Sequence, residues 1–191
     1  MKTLMLLFFM LSFSITTWSQ LDKGNFLVGG TGKFYSYTST NSSSSYNVEA
    51  KYTQIDLSPA IGYFVADKLA FGLKPTVSSI KGKVTSAGGG STNVQRYLIG
   101  PFGRYYFLNK ENNYNIVSDV SYQFGFFGGG LAKGKLATFS ALAGPVIYFN
   151  TTVGIEFLLG YSYSKEDVEQ ANKEIRKGFQ LGIGFQIHLE K

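Results

Sequence analysis

The sequence predicts an all-β fold: an eight-stranded antiparallel up-and-down transmembrane β-barrel that follows an N-terminal signal peptide. Three observations predict it. Apolar and polar residues alternate with period two through most of the chain. Short connections alternate with long polar ones, as in barrels that cross a membrane. Finally, bulky apolar side chains occupy one face of the alternation, whereas Gly, Ser, Gln and charged residues occupy the other.

The N-terminus has the pattern of a secretory signal peptide. Lys2 precedes the apolar stretch 4–15, and small residues, Thr17 and Ser19, stand two residues apart just before Gln20. A single membrane anchor is the alternative, but the apolar stretch is shorter than the roughly 20 residues that a spanning helix needs. We therefore expect a signal peptide at residues 1–19 and an outer-membrane β-barrel domain at residues 20–191.

Eight segments carry the period-two pattern. In the last of them every odd position from Phe179 to Leu189 is apolar, and the even positions are Gly, Gln and His188. The segment from Tyr114 to Phe126 alternates in the same way, with its apolar and aromatic residues mostly at even positions. The predicted strands are residues 26–34, 55–65, 69–77, 97–107, 114–126, 137–149, 153–163 and 179–189.

The connections between these strands are of two kinds. Short connections are predicted at residues 65–68, 108–113 and 149–151, and long polar loops at residues 38–47, 82–93, 128–135 and 165–177. The last loop is charged all round and lacks an apolar stripe, which favours a solvated loop over a helix. In transmembrane barrels the short turns are periplasmic and the longer loops extracellular.

The apolar face is predicted to contact lipid, because small polar residues fit a narrow lumen and large apolar ones do not. Aromatic residues on this face collect near both strand ends, where they would form two interfacial girdles. The predicted turn-side girdle is Tyr63, Phe71, Tyr105, Phe107, Tyr114 and Phe149, and the predicted loop-side girdle is Tyr97, Phe124, Phe126, Phe139, Tyr161, Tyr163 and Phe179.

The opposite phase places charges in the lumen. Buried charges persist when they are paired and hydrogen-bonded, so the sequence predicts a salt-bridged lumen, filled out by glutamines, that is closed. A gate whose ion pairs exchange partners and admit water or small ions is the alternative. The predicted lumen charges are Lys33, Asp56, Lys74, Arg96, Arg104, Asp119 and Glu156, and the glutamines are Gln54, Gln123, Gln180 and Gln186.

Prolines mark a repeat along the chain. Pro59, Pro101 and Pro145 are spaced by 42 and 44 residues, and each precedes an aromatic strand end and a short connection. The repeating unit is a hairpin. Since proline donates no hydrogen bond to a ladder, we expect bulges or local bends at these prolines and at Pro75.

The composition excludes several kinds of chemistry. The chain has no Cys and one His, which excludes disulfides, cysteine-ligated zinc and most histidine-built metal sites. We expect His188 to be a hydrogen-bonded lumen residue rather than a catalyst. The glycine clusters 29–32 and 88–90 lack the lysine and helix of a phosphate-binding loop, and the first of them suits close strand packing. No catalytic, cofactor-binding or metal-binding residue is predicted, so the protein is not expected to be an enzyme.

Several segments resemble the outer-membrane protein β-barrel family, which includes OmpA/OmpX-type and PorT-like barrels. They are SPAIGYFVADKLAFGLKP, GPFGRYYF, GPVIYFNTTVGIEFLLGYSYS and GFQLGIGFQI. The resemblance implies an integral protein of a Gram-negative outer membrane, with lipid and the barrel-assembly machinery as partners. The chain ends on Leu189-Glu190-Lys191, whereas many members end on an aromatic residue.

The role that the resemblance implies is structural, or the binding of an extracellular ligand through loops 38–47, 82–93, 128–135 and 165–177. Nucleic acid is not an expected partner, because the basic residues are scattered even though the isoelectric point is near 9.3. Two alternatives stay open: a small pore or gated channel of the same fold, and a secreted soluble carrier of the calycin type with an apolar interior.

Overall fold

The chain folds into a closed antiparallel barrel in which each strand pairs with its neighbours in sequence. A computed structural model describes residues 21–42, 47–84, 90–109, 112–129, 132–150, 152–168 and 173–189. This confirms the predicted eight-stranded up-and-down topology, while the predicted signal peptide, residues 1–19, lies outside the described residues. The strands are β1 (Phe26–Ser42), β2 (Asn47–Ala66), β3 (Leu69–Val84), β4 (Ser91–Tyr106), β5 (Tyr114–Gly129), β6 (Ala132–Tyr148), β7 (Val153–Val168) and β8 (Glu174–Leu189).

The described residues include no helix with the length and apolar character that a membrane crossing requires. Side chains instead alternate between the lumen and the outer surface along each strand, as the period-two pattern predicts. In β5, for example, Val117 and Asp119 are fully buried, whereas Val120 and Tyr122 are exposed on the outside.

The strands are longer than predicted, and the four predicted long loops are wrong in their extent. Most residues of the segments 38–47, 82–93, 128–135 and 165–177 belong to strands, so that consecutive strands are separated there only by residues 43–46, 85–90, 130–131 and 169–173. The reason is physical: the ladder continues where the outward side chains are charged, as at Lys133, Lys135, Lys165 and Asp167, so the apolar alternation ends before the strands do. The barrel wall therefore projects past the aromatic residues of the predicted loop-side girdle.

The opposite end of the barrel carries short connections, as predicted. Asp67 and Lys68 alone separate β2 from β3, and Lys68 adopts the left-handed conformation, with φ at 65°. The segment before β1 packs against this turn, since the Lys68 N–H donates to the Leu21 carbonyl at 2.7 Å and the Phe64 N–H donates to the Asn25 carbonyl at 2.9 Å. We call this end the turn end and the opposite one the loop end.

The prolines interrupt the ladder without shifting its register, so the described ladders have no bulge at these positions, and the local bends, the other expectation, stay a prediction. Pro59 and Pro75 face each other inside a gap in the β2–β3 pairing, and Pro101 and Pro145 lie in gaps of the β4–β5 and β6–β7 ladders. Each proline keeps its pairing with the strand on its other side. The one register shift in the described ladders lies between Phe64 and Ala66 instead.

The barrel closes where β1 meets β8, and this seam is shorter than the other ladders. Pairing runs from Phe26 opposite Leu189 to Gly32 opposite Ile183, and within the described residues it ends there. A Cβ on Gly29 would lie 2.5 Å from the Phe185 carbonyl oxygen, so the glycine cluster allows close strand packing, as predicted. Beyond Gly32, β1 continues beside β2 and β8 begins beside β7, without pairing with each other.

Candidate functional site: a two-part lumen

A buried network of four charged side chains crosses the middle of the lumen. Arg104 donates from Nε to Asp119 Oδ2 at 3.0 Å and from Nη1 to Glu156 Oε2 at 2.8 Å. Lys74 donates to the other Asp119 oxygen. The four residues come from β3, β4, β5 and β7, and their two positive and two negative charges balance. Paired and hydrogen-bonded in this way, they tie four strands together inside the barrel.

Uncharged groups complete the hydrogen bonding of this network. The Thr31 hydroxyl donates to Glu156 Oε1 at 3.2 Å, and Arg104 Nη1 also donates to Gln186 Oε1 at 3.1 Å. The Tyr106 hydroxyl donates to the same Gln186 oxygen at 2.7 Å, while the Gln186 amide donates to the Tyr148 hydroxyl at 3.1 Å. The network thereby reaches β1, β6 and β8 as well.

His188 lies at the turn-end side of this network, on the inward face as predicted. Its Nε2 is 3.3 Å from the Tyr106 hydroxyl, and its ring is centred 5.6 Å from the rings of Phe64 and Tyr106 and 5.9 Å from that of Tyr148. These neighbours form an aromatic cage around the imidazole rather than a nucleophile–base pair. Among the described residues no group of His, Asp and Glu side chains clusters closely enough to hold a metal ion.

An apolar cluster fills the lumen toward the turn end, which the sequence analysis did not predict. Phe64 and Tyr106 are fully buried, and the Phe102 ring lies 4.9 Å below the Lys74 ammonium in a cation–π contact. Strict counting of the alternation through β2 and β4 would have placed these rings inside. The cluster consists of Leu21, Leu27, Ala60, Phe64, Ala70, Phe102, Tyr106, Val117, Leu142, Val146 and Leu158. We call this cluster and the charge network together the turn half of the lumen.

The rest of the lumen, which we call the loop half, contains a polar cavity of about 520 Å³. Three of the predicted lumen charges, Lys33, Asp56 and Arg96, line it, together with hydroxyl groups from β6 and β7. Asp56 accepts hydrogen bonds from the Gln54 amide, at 2.9 and 3.1 Å, and from the Ser78 hydroxyl. The seven predicted charges therefore all face the lumen but divide into two groups.

Glu166 is a lumen charge that the sequence analysis missed. It is buried, and its Oε1 lies 2.9 Å from Arg96 Nη2 and 3.7 Å from Arg176 Nε. The sequence pattern predicts a loop at residues 165–177, whereas β7 runs on to Val168. Glu166 supplies a fourth lumen carboxylate to face the four predicted cations. At the exposed rim, Arg176 donates to Glu174 Oε1 at 2.9 Å, and this hydrogen bond lowers the pKa of Glu174.

The outer surface carries the predicted aromatic residues. All thirteen are exposed there, from Tyr63 at 37% to Phe179 at 82% of the residue's full accessibility. Some pair edge to face, with ring centres 5.1 Å apart for Tyr105 and Phe107 and 5.7 Å apart for Tyr161 and Phe179. Aliphatic side chains such as Leu57, Val120 and Leu159 occupy the outer surface between the two sets and are exposed as well. The two sets stay a prediction as membrane girdles.

No protein-family profile and no curated protein matches the sequence. Solved structures do match. Neisserial surface protein A is 18% identical, with a TM-score of 0.53, over 86% of this chain and 97% of that one. The outer membrane protein OprG from Pseudomonas aeruginosa is 13% identical, with a TM-score of 0.60, over 89% of this chain and 98% of that one. At such identities the likeness shows the fold alone, and that fold is the eight-stranded outer-membrane β-barrel.

Proposed function

We propose that this protein is an integral outer-membrane β-barrel of a Gram-negative bacterium, with a structural or surface-binding role and a lumen that is closed to passage. One observation carries the proposal: the barrel is apolar outside and charged inside. Leu57, Val120 and Leu159 are about half exposed on the outside, whereas Arg104, Asp119 and Glu156 are buried within. This arrangement, apolar outside and charged inside, favours contact with lipid, because soluble proteins rarely expose a continuous apolar surface of this extent.

A closed lumen is supported by the turn half. The charge network spans the interior from β3 to β7, and the fully buried rings of Phe64 and Tyr106 lie beyond it. Every charge of the network has an opposite partner, so opening a path along the axis would leave buried charges unpaired. The packing thus favours a plug over the gated channel that was the alternative.

The apolar outer surface and the charged lumen also disfavour a soluble carrier. A calycin-type carrier needs an apolar interior, but the lumen cavity of about 520 Å³ is lined by Lys33, Asp56, Arg96 and several hydroxyl groups. The names of the matching structures, a surface protein and an outer membrane protein, point the same way. The loop-end rim, where the wall projects beyond the aromatic residues, is the surface available for partners outside the cell.

The proposal is tested by locating the protein and its barrel in the envelope. We expect the full chain to stay in the outer membrane after a carbonate wash and to migrate differently on a denaturing gel when it is boiled. Release into the soluble fraction without a mobility shift would contradict the proposal. In planar bilayers we expect no steady conductance, and a steady current that changes in Arg104→Gln would favour the channel.

A substitution on the outer face tests directly whether this face contacts lipid. Val120 lies midway along β5 between Tyr114 and Phe124 and is exposed on the outside. Val120→Arg should lower the free energy of unfolding in vesicles by about 2–4 kcal/mol, since lipid cannot solvate the guanidinium there. Val120→Leu is the matched control and should leave stability nearly unchanged. Equal stability of the two variants would mean that this face contacts water.

A further inference from the structure

The barrel wall is open on the loop-end side of the β1–β8 seam. The ladder between these strands stops at Gly32 and Ile183, although β1 runs on to Ser42 and β8 begins at Glu174. A groove of about 580 Å³ lies at this place on the outer surface. Side chains that face outward, Phe34, Leu57, Phe179, Leu181 and Ile183, line it together with side chains that face the lumen.

The groove and the lumen cavity meet at this gap. Lys33, Tyr35, Asp56, Phe179 and Gln180 line both spaces. A continuous ladder would have separated the two, because neighbouring strands only about 4.8 Å apart leave no passage. At the gap between β1 and β8, side chains alone therefore form the wall, and the lumen cavity is continuous with the groove on the outer surface.

Two hydrogen-bond donors stand at the junction. The Lys33 ammonium donates to Gln180 Oε1 at 2.7 Å, across the gap from β1 to β8. Within the described residues it forms no ion pair, and its cross-strand neighbour Asp56 accepts instead from Gln54 and Ser78. The Gln180 side chain is buried, at 7% exposure, and its Nε2 has no hydrogen-bond partner among the described groups. Buried donors of this kind are costly unless an acceptor satisfies them.

We propose that the gap is a lateral binding site for a single-chain fatty acid. The carboxylate accepts from Lys33 Nζ and Gln180 Nε2, and the alkyl chain lies in the outer groove against Phe34, Phe179 and Leu181. The charge of Lys33 selects an anion, the apolar lining selects an alkyl chain, and a groove of about 580 Å³ has the size of a site for one small ligand. The inference rests on the proposed function, because the groove reaches such molecules from the lipid phase.

Binding is tested on the full chain in phosphatidylcholine nanodiscs with laurate carrying carbon-13 at its carboxyl carbon. We expect saturable binding that shifts this carbon resonance, and at least tenfold weaker competition by dodecanol, which lacks the charge. Lys33→Met should weaken laurate binding at least tenfold, and Lys33→Arg should restore most of it. Lys81→Met, at an exposed lysine of β3, is the matched control and should bind as the unaltered chain does. Equal binding by Lys33→Met would overturn the proposal.

A fluorescent reporter separates failure of this site from failure of the proposed function. Trp18 is the chain's one tryptophan and precedes the barrel, so Trp18→Phe in the full chain removes the background. Phe34→Trp reports on the groove and Tyr122→Trp on the wall at β5. Brominated phosphatidylcholine should quench the fluorescence of both variants, and added laurate should protect the Phe34→Trp variant alone. Absence of quenching in both variants would contradict a lipid-facing wall.

Other occupants of the gap give different results. Quenching in both variants without protection by laurate would retain the membrane barrel and overturn the fatty-acid site. Protection of the Phe34→Trp variant by phosphatidylglycerol vesicles but not by laurate would assign the gap to a phospholipid, which also overturns the proposal. Protection that rises with protein concentration and accompanies a dimer would mean that a second copy pairs with the open strand edges, and the fatty-acid site would again be wrong.

Discussion

The two halves of the lumen differ in strand pairing and in how tightly their side chains pack. In the turn half the β1–β8 ladder is complete, the charges of the network are paired and aromatic rings fill the remaining space. In the loop half the same two strands separate and a cavity of about 520 Å³ remains. Among the described groups, Arg96 Nε and Gln180 Nε2 lack hydrogen-bond partners in the loop half, and His188 Nδ1 lacks one in the turn half. The turn half is packed like a protein core, whereas the loop half leaves space beside its polar groups.

This difference indicates that most of the barrel's stability comes from the turn half. A charge network that reaches seven of the eight strands, from β1 through Thr31 to β8 through Gln186, holds the wall together from inside. With that half closed, the loop half is free to keep a gap in its wall and spare donors. Sites that bind are commonly less stable than the scaffold that carries them. Paired substitutions, one in each half, test this division.

The largest difference is expected between Arg104 and Arg96. Arg104→Met removes the one guanidinium that serves both Asp119 and Glu156, leaving buried carboxylates that Lys74 alone cannot balance. The free energy of unfolding should fall by about 4 kcal/mol. Arg96→Met should cost about half as much or less, because Arg176 also lies beside its partner Glu166 and the pair lines a cavity rather than a packed core. Urea unfolding in lipid vesicles, followed by the heat-dependent gel shift, measures both values.

Equal losses for the two arginines would contradict the division into two halves. A double variant gives an internal check, because Arg104→Met combined with Glu156→Leu restores the charge balance with Lys74 and Asp119. It should recover part of the lost stability, since a balanced set of buried groups costs less than an unpaired charge.

A second pair of substitutions concerns apolar packing. Leu158 is fully buried in the apolar cluster of the turn half, whereas Leu136 lines the loop-half cavity beside Leu98. Leu158→Ala should lower the free energy of unfolding by about 3 kcal/mol, because the dense surroundings cannot collapse into the hole. Leu136→Ala should cost about 2 kcal/mol or less, because it enlarges a space that already exists. The same vesicle assay applies, and a larger loss for Leu136→Ala would reverse the assignment of the rigid half.

The sequence predicted which strand face contacts lipid and which charges face the lumen. It did not predict Glu166 or the gap in the β1–β8 seam. Alternation placed Lys74, Arg104, Asp119 and Glu156 in the lumen, because a one-residue slip would put charges into lipid. It did not identify Glu166, because the outward neighbours Lys165 and Asp167 are charged and exposed, so that period two loses its apolar signal there. The open seam leaves no local pattern either, because the register between the first and last strands is set by closure of the whole barrel.

The smallest effect is expected at the exposed rim of the loop half. Glu174 and Arg176 are neighbours on one face of β8, with side chains 50% and 43% exposed. The hydrogen bond from Arg176 lowers the pKa of Glu174 below its ordinary value of 4.5, so the folded state favours the carboxylate. Its contribution is therefore present above pH 4.5 and is lost as the pH falls through the lower folded-state pKa. Solvent screening limits this contribution to about 0.5 kcal/mol.

Glu174→Gln removes this contribution and nothing else of the rim. The variant should be less stable than the unaltered chain by about 0.5 kcal/mol at neutral pH and low salt, and the two should converge both in acid and at high ionic strength. Unfolding curves at several pH values in the same vesicles measure the difference. A loss that approaches that of Arg104→Met would mean that the rim helps to hold the barrel closed, and the loop half would then be part of the scaffold rather than a surface free to bind.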